Sequence, residues 1–346
     1  KSIRLGVIGG GQLGSLLCTA AKKLKVETVV LSDDKHGPAQ KFCNHFIYSK
    51  YENNEKLKEF TSKVDVVTYE FENIPVNFLN LIQREKKVLP SPNINKIAQN
   101  RKLEKTFINE LGIKTTDWVS IKSAEDIRKN QHLLPGILKS NTLGYDGKGQ
   151  FVLNTFDDVK KDWCFTNNYI LEKKVNLKKE ISVVIARYSD GTMSFYEPIE
   201  NVHKNQILFK SKIPADINDK IIDKAISNAK KISEKLNYVG VLTVEYFITE
   251  KDELLVNELA PRFHNSGHLT IDAFNHSQFS LHVSCVCNLG SKPIGKISNA
   301  EMYNILGSEI LEYRKKKFKK NEFFYDYLKK EPRDGRKMGH LTILKD

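Results

Sequence analysis

Glu245 and Glu258 stand on either side of a segment that reads as a hairpin: strands over 240–248 and 253–259 around a polar turn at 250–253. If Lys251-Asp252 forms a two-residue loop, these glutamates face each other on one side of the ribbon. Like charges directly opposite destabilise a ribbon unless something compensates them. A divalent cation is the economical compensation, since Mg²⁺ is held by one or two carboxylates with nucleotide phosphates completing its shell. Two solvated glutamates slightly out of register are the alternative. Directly beyond, Ala260-Pro261-Arg262-Phe263-His264-Asn265-Ser266-Gly267-His268 gathers an Arg, two His and an Asn, a set that suits an oxyanion or carboxylate. It lacks a third ligand at zinc spacing.

Two glycine-rich segments add a phosphate theme. Gly144-Tyr145-Asp146-Gly147-Lys148-Gly149-Gln150 follows a strand ending at Lys139. Backbone N–H groups and an ammonium in such a loop can fold over a polyphosphate. Its spacing is not that of a Walker A loop, and a hairpin loop with a solvated lysine is the plainer reading. Gly9-Gly10-Gly11-Gln12-Leu13-Gly14 satisfies G-x-G-x-x-G after a strand, with Asp33 and Asp34 following the next one. Alone this suggests a dinucleotide oxidoreductase, although any tight strand–helix turn uses glycine. Arg336-Lys337-Met338-Gly339-His340 reads by itself as a basic turn before the last strand.

The elements that must position these residues fall into three stretches. Strands over 3–8, 26–31 and 64–69 alternate with helices to residue 24 and over 55–63, which predicts a parallel sheet covered by helices. Leu89-Pro90-Ser91-Pro92 breaks the chain, and Asn93 or Asn95 can cap a long helix ending near Leu111-Gly112. Strands then dominate: 118–121, 136–139, 169–175, 180–188, 193–201 and 206–213. A helix over 217–236 precedes the carboxylate hairpin, and another runs to about 289. A short module ends in a strand over 338–344. The fold class is therefore α/β followed by α+β, with domains over 1–95, 96–289 and 290–346.

The 346 residues carry 55 Lys+Arg against 42 Asp+Glu, a net charge of +13. The densest run, Arg314-Lys315-Lys316-Lys317 with Lys319 and Lys320, lies in a segment read as helix over 308–320 and lacks the Gly-aromatic interleaving of RNA-binding strands. A solvated face is the expectation there, with no nucleic-acid partner. No apolar stretch reaches the ~18 residues of a membrane span. The apolar N-terminus is interrupted by glycines and reads as strand, turn and helix, not as a signal peptide. Five scattered cysteines without a CxxC pair predict reduced thiols and a cytoplasmic setting.

These elements in this order resemble the ATP-grasp superfamily and, within it, the N5-carboxyaminoimidazole ribonucleotide synthase family of purine biosynthesis. The likeness covers nearly the whole chain. Its most specific pieces are Tyr69-Glu70-Phe71-Glu72-Asn73-Ile74-Pro75, the 144–150 loop, the 261–268 segment and residues 336–340. Ala260 departs from the wider superfamily, many of whose members carry Asn there, and so removes a third metal ligand beside Glu245 and Glu258.

The resemblance implies a Rossmann-like first domain, an ATP-grasp body with a mobile lid at about 115–180, and a small C-terminal module. It implies ATP as co-substrate, Mg²⁺ (or Mn²⁺), bicarbonate, 5-aminoimidazole ribonucleotide and a homodimer. Arg101 and Lys139 would contact ATP phosphates, with Gly144, Tyr145, Asp146, Gly147, Lys148, Gly149 and Gln150 closing over them. Glu172, Lys173, Lys174 and Val175 would offer backbone groups to adenine, and Glu180 would hold the ribose. His203, Asn257 and Glu258 would complete the nucleotide site. Gln12, Glu72, Asn73, Tyr145, His264, Asn265, His268, Arg336 and Lys337 would surround the other substrates. Asp146, Arg262 and Lys337 are the implied catalytic groups, Asp146 as proton acceptor. A formate-using transformylase of the same superfamily is the nearest alternative, and an NAD-dependent oxidoreductase a more distant one.

Overall fold

Short apolar strands joined by helices build the first layer. The computed structural model describes residues 1–142, 149–165 and 168–346. Strands β1 (Arg4–Ile8), β2 (Glu27–Ser32), β3 (His45–Tyr48) and β4 (Val66–Tyr69) form a parallel sheet in the order β3-β2-β1-β4. β3 escapes a hydrophobicity reading because only Ile47 of its four residues is buried. Helix Asn54–Ser62 starts where the Asn53 side chain accepts the Lys56 N–H.

The helix expected up to residue 111 is two helices, Pro92–Ala98 and Arg101–Glu110. Neither Asn93 nor Asn95 is the cap. Asn95 is fully buried inside the first helix, and Asn100 caps the second by accepting the Leu103 N–H at 3.1 Å. This break matters for chemistry, because it turns Arg101 towards the strand Gly136–Ser140, where its Nε donates to the Ser140 carbonyl at 3.1 Å.

An antiparallel sheet follows, in the order β5-β8-β6-β7: β5 (Trp118–Ile121), β6 (Gly136–Ser140), β7 (Gln150–Leu153) and β8 (Tyr169–Lys173). It has its own small core of Ile121, Ile127, Leu133, Leu138, Leu153 and Leu171. The main, nine-stranded sheet contains β9 (Leu177–Arg187), β10 (Met193–Phe195), β11 (Ile199–Lys204), β12 (Ile207–Ile213), β13 (Gly240–Thr249), β14 (Leu254–Ala260), β15 (Ala300–Leu306), β16 (Glu322–Asp326) and β17 (Lys337–Leu344). Its order is β14-β13-β9-β11-β12-β15-β17-β16, with β10 beside β9. The single strand expected over 193–201 is thus two. The expected C-terminal module joins this sheet: β15 pairs with β12, so its strands extend the same layer. The basic run falls beyond a helix of only Glu309–Tyr313, with its lysines exposed.

Alternation on β9 explains how this sheet carries both a core and a site. Ile181, Val183 and Ile185 pack against Ile221, Ala225, Ala229 and Ile232 of helix Asp219–Lys235. On the opposite face, Val184 and Ala186 join the core with helices Gln12–Lys23 and Gln278–Val286. Glu180 and Ser182 share that second face, because successive strand residues point to opposite sides. Among the described residues no helix is long and apolar enough to cross a membrane.

The first glycine-rich turn is occupied from within. The buried Glu70 carboxylate accepts the Gly11 N–H at 2.6 Å and the Gly14 N–H, so the N-terminus of helix Gln12–Lys23 already holds an anion. A side chain on Gly11 would meet Glu70 Oε1 at 2.7 Å, and one on Gly14 would meet Glu70 Oε2 at 2.8 Å and the Gly9 carbonyl at 2.9 Å. These glycines therefore admit a side-chain carboxylate instead of a pyrophosphate, which removes the basis for the oxidoreductase alternative. We expect Gly14→Ala to lower stability by roughly 1–3 kcal/mol through overpacking. Urea denaturation checks this, and a loss below about 0.5 kcal/mol would show the turn to be slack.

Candidate active site

The carboxylate hairpin reaches the expected pairing by an unexpected route. Near the tip the register is shifted by one residue, pairing Tyr246 with Val256 and Ile248 with Leu254. The turn closes at Asp252, which has φ 60°. A bulge then inserts Asn257 and restores Glu245 opposite Glu258. The extra residue bends the strand locally, and Asn257 and Glu258 consequently both line the same cavity.

That cavity, of about 550 Å³, lies between the small antiparallel sheet and the polar face of the main sheet. Burial and the facing Glu258 push the Glu245 carboxyl well above its ordinary range. Glu258 is also raised by burial, with Arg101, Lys139 and Arg262 pulling the other way. Beside them Arg262 donates Nε to Glu72 Oε2 at 2.6 Å and Nη1 to the Phe263 carbonyl at 2.9 Å. Burial alone would raise Glu72, but the Arg262 charge and hydrogen bond outweigh it and hold the carboxyl low. The guanidinium is thereby fixed in orientation by a residue from the first domain.

A second charge cluster forms the cavity wall. Glu172 lies between Lys105 Nζ at 2.9 Å and Lys139 Nζ at 2.8 Å, all three nearly excluded from solvent. Burial raises the Glu172 carboxyl, yet the two ammonium groups overcome this and bring it down to about 2. One carboxylate between two ammoniums leaves the trio net positive, and that suits a polyphosphate. Next to it Glu104 accepts the Leu259 N–H at 3.2 Å and is raised to about 8 by burial and Glu258.

His264 has a defined tautomer. Its Nδ1 accepts the Ser266 N–H at 3.1 Å, so the proton sits on Nε2, 3.5 Å from Glu245 Oε1. Burial, reinforced by Arg262 and Lys337, keeps the ring neutral. Glu180 Oε2 lies 2.7 Å from His203 Nδ1. Gln12 Oε1 accepts a hydrogen bond from Lys329 Nζ at 2.5 Å. Burial, with Arg336 and Lys337 nearby, lowers the Lys329 ammonium to about 7.

The cavity thus brings together Gln12, Glu72, Arg101, Lys139, Gln150 and the 172–175 segment. From the main sheet and beyond it adds Glu180, His203, Glu245, Asn257, Glu258, Arg262, His264, Asn265 and Lys337. Four expected residues are not among its lining. Asn73 is exposed on the turn after β4. Arg336 donates Nη1 to the Glu331 carbonyl at 3.0 Å. His268 is wholly buried, its ring 4.8 Å from that of His340. Gly149 has φ +70° and lies against Ser140. Gly144, Tyr145, Asp146, Gly147 and Lys148 lie outside the described residues. The sequence reading missed Lys105, Glu104, Glu70 and Lys329. Lys105 left a trace one helical turn after Arg101, and Glu70 one within the 69–75 segment, but their partners are remote in sequence. A larger, more open space of about 780 Å³ shares residues 173–175, but it contains neither Arg262 nor the carboxylate pair, so the chemistry belongs to the smaller cavity.

Among the described residues no group of three or more His, Cys, Asp and Glu is arranged to hold a metal ion unaided. Glu245 and Glu258 nevertheless fit Mg²⁺, which binds through one or two carboxylates and completes its shell with substrate phosphates. Their mutual repulsion in a buried setting is the cost such a cation would remove.

A cleft between a small antiparallel sheet and a large one, floored by opposed carboxylates and walled by lysines, defines an ATP-grasp enzyme. The ATP-grasp domain model matches residues 106–279, the ribonucleotide synthetase preATP-grasp domain 3–99, and the phosphoribosylaminoimidazole carboxylase C-terminal domain 300–346. The chain is 39% identical over 347 residues to N5-carboxyaminoimidazole ribonucleotide synthase of Brucella melitensis, covering 99% of this chain and 96% of that protein. It is 37% identical to the Bacillus subtilis enzyme of the same name, covering 99% and 91%. The Staphylococcus aureus N5-carboxyaminoimidazole synthetase complexed with ADP superposes with a TM-score of 0.93 at 35% identity, covering 100% and 94%. The Aspergillus clavatus synthase in complex with ADP and 5-aminoimidazole ribonucleotide gives 0.89 at 28% identity, covering 99% and 94%. The chain belongs to the N5-carboxyaminoimidazole ribonucleotide synthase family.

The Lys105–Glu172–Lys139 trio makes a stability prediction. The Glu172 carboxyl is depressed from 4.5 to about 2 in the fold, so its contribution is present above about pH 4.5 and lost as pH falls towards about 2. Lys105→Met removes half of the compensation and should cost on the order of 3 kcal/mol at neutral pH. The cost should shrink as pH falls through that window. Denaturant titrations at about pH 7 and about pH 3 test this. An equal cost at both values would contradict it.

Proposed function

We propose that the protein converts 5-aminoimidazole ribonucleotide, bicarbonate and ATP to N5-carboxyaminoimidazole ribonucleotide, ADP and phosphate in de novo purine biosynthesis. The observation that carries this reading is the meeting of Glu245 and Glu258 with Arg262, His264 and Lys337 in one cavity. A nucleotide-only module would have no use for the last three. The functional division is into residues 1–95, 96–289 and 290–346, and the reading includes a homodimer. A cytoplasmic setting is supported by the five scattered cysteines, which form no CxxC pair.

ATP would lie between the two sheets. Lys139, fixed by Glu172, and Arg101 would neutralise its phosphates, and the Glu180–His203 pair would meet the ribose hydroxyls. The N–H groups of Lys173 and Lys174 already donate to the Asp117 and Pro135 carbonyls, so these two residues would contact adenine through their carbonyl oxygens. Mg²⁺, replaceable by Mn²⁺, held by Glu245 and Glu258, would supply charge neutralisation at the phosphate oxygens.

A bicarbonate oxygen attacks the γ-phosphorus and ADP departs, leaving carboxyphosphate. Arg262, oriented by Glu72, stabilises charge on the transferring group. The His264 Nε2–H donates into the same space. The exocyclic amine then attacks the carboxyl carbon, phosphate leaves, and Asp146 takes the amine proton. Lys329, Arg336 and Lys337 form a cationic surround for the ribonucleotide phosphate, and an arriving dianion would restore the Lys329 charge.

ADP formation should require both 5-aminoimidazole ribonucleotide and bicarbonate. Replacement of bicarbonate by formate with retained turnover would favour the transformylase instead. Glu245→Gln and Glu258→Gln should each stay folded and lose Mg²⁺-dependent turnover; wild-type rates at saturating MgATP in both variants would sink the metal assignment.

Lys337→Met should lose stimulation by the ribonucleotide while MgATP binding stays near wild type. Asp146→Asn should bind both substrates yet form little carboxylated product. Separate titrations with MgATP and ribonucleotide decide the matter. A Lys337→Met variant weakened far more towards ATP would overturn this arrangement of the pocket.

A further inference from the structure

Beneath the cavity floor the main sheet buries polar side chains that no step above uses. Ser182, Ser211 and Ser266 are fully buried, and Asn201 nearly so. Register explains their alignment. Asn201 on β11 stands opposite Ser211 on β12, while Ser182 on β9 stands opposite both Ile199 and Glu245. All therefore share the face of the sheet that carries Glu245. Three serines and an asparagine in this setting cost free energy unless every donor finds an acceptor.

Each hydroxyl does, and in one direction. Ser211 Oγ donates to Asn201 Oδ1 at 2.7 Å, and Asn201 Nδ2 donates to Ser182 Oγ at 3.1 Å. Ser182 and Ser266 hydroxyls are 2.8 Å apart, and Ser266 Oγ is 2.8 Å from His264 Nδ1. Because Nδ1 already accepts the Ser266 N–H, it has no proton to give. The Ser266 hydroxyl must then donate to Nδ1 and accept from Ser182, whose own oxygen accepts from Asn201. The directions are fixed by elimination, without freedom at any hydroxyl.

We propose that Ser266, backed by Ser182, Asn201 and Ser211, is the positioning residue of His264, locking the imidazole as the Nε2–H tautomer so that it donates a hydrogen bond towards Glu245 and the anion in the cavity. The chain ends where the chemistry begins, 3.5 Å from Glu245 Oε1. A neutral donor of fixed direction suits an anion that forms and decomposes beside Glu245, since it stabilises charge without supplying a proton that would break down the intermediate. With Nδ1 turned to Ser266, the ring presents only Nε2 towards Glu245. The assignment of the anion as bicarbonate or carboxyphosphate rests on the function proposed above; the tautomer does not.

The test uses full-length protein labelled with ¹⁵N in histidine. His264 should show a protonated Nε2 and an unprotonated Nδ1 at about pH 8. Ser266→Ala removes the hydroxyl and leaves only the backbone N–H at Nδ1, so it should admit part of the Nδ1–H tautomer and lower kcat by roughly 2- to 10-fold, with KM for ATP near wild type. A wild-type Nδ1–H tautomer would overturn the proposal. So would a Ser266→Ala protein that loses activity with its tautomer intact, because the serine would then be merely structural. Wild-type tautomer and rate together would overturn it equally. If Ser266→Ala fails to fold, Ser182→Ala cuts the chain one bond further from the ring and is read the same way. The resonance measurement needs no turnover, so failure of the carboxylation reading would appear separately, as wild-type ADP formation indifferent to bicarbonate.

Discussion

Two half-buried carboxylates held face to face are the constraint around which this molecule is arranged. Glu245 and Glu258 repel, and each loses hydration, so left to themselves they would take up protons or move apart. The bulge at Asn257 prevents the second outcome by fixing their register. The first is opposed by cations brought from three parts of the chain: Arg101 from the start of a helix, Lys139 from β6 and Arg262 from just beyond β14. An opposed carboxylate pair among cations is what the proposed metal–nucleotide ligand would require.

Internal counter-ions then join the layers. Glu72 reaches across 190 residues of sequence to Arg262, tying the first domain to the floor of the site. Glu172 anchors Lys139 through a buried trio, and Glu70 fills the helix terminus that would otherwise attract an external phosphate. In each case a buried charge is matched by a partner from another element. The pairs therefore specify how the elements sit together as much as they add stability.

The sequence made some of this legible and concealed the rest for identifiable reasons. The Glu245–Glu258 opposition follows from strand periodicity, although the two-residue loop behind that expectation is absent: a one-residue shift at the tip and a one-residue bulge cancel. The glycine turn was visible, but what fills it was not, since Glu70 lies about sixty residues away and contacts it only in the fold. Proline-rich punctuation marked the break near residue 90. It could not reveal that Asn100, and not an earlier Asn, would cap the helix carrying Arg101 and Lys105. Short, half-exposed β3 gave no periodic signal, and the pairing that joins the C-terminal module to β12 is long-range and left none either. Polar residues on strands, such as Ser182 and Asn201, resembled solvent-facing positions. Only the register across β9, β11 and β12 turns them into a chain beneath His264.

The central claim is that the two opposed glutamates share one cation with the nucleotide. A crystal of the protein with ADP and Mn²⁺, with data collected at the manganese edge, tests it most directly. The account predicts one anomalous peak between the Glu245 and Glu258 side chains, bonded to both and to a diphosphate oxygen, and no such peak when ADP is omitted. Manganese bound away from this pair, or nucleotide seated with both carboxylates unliganded, would contradict it.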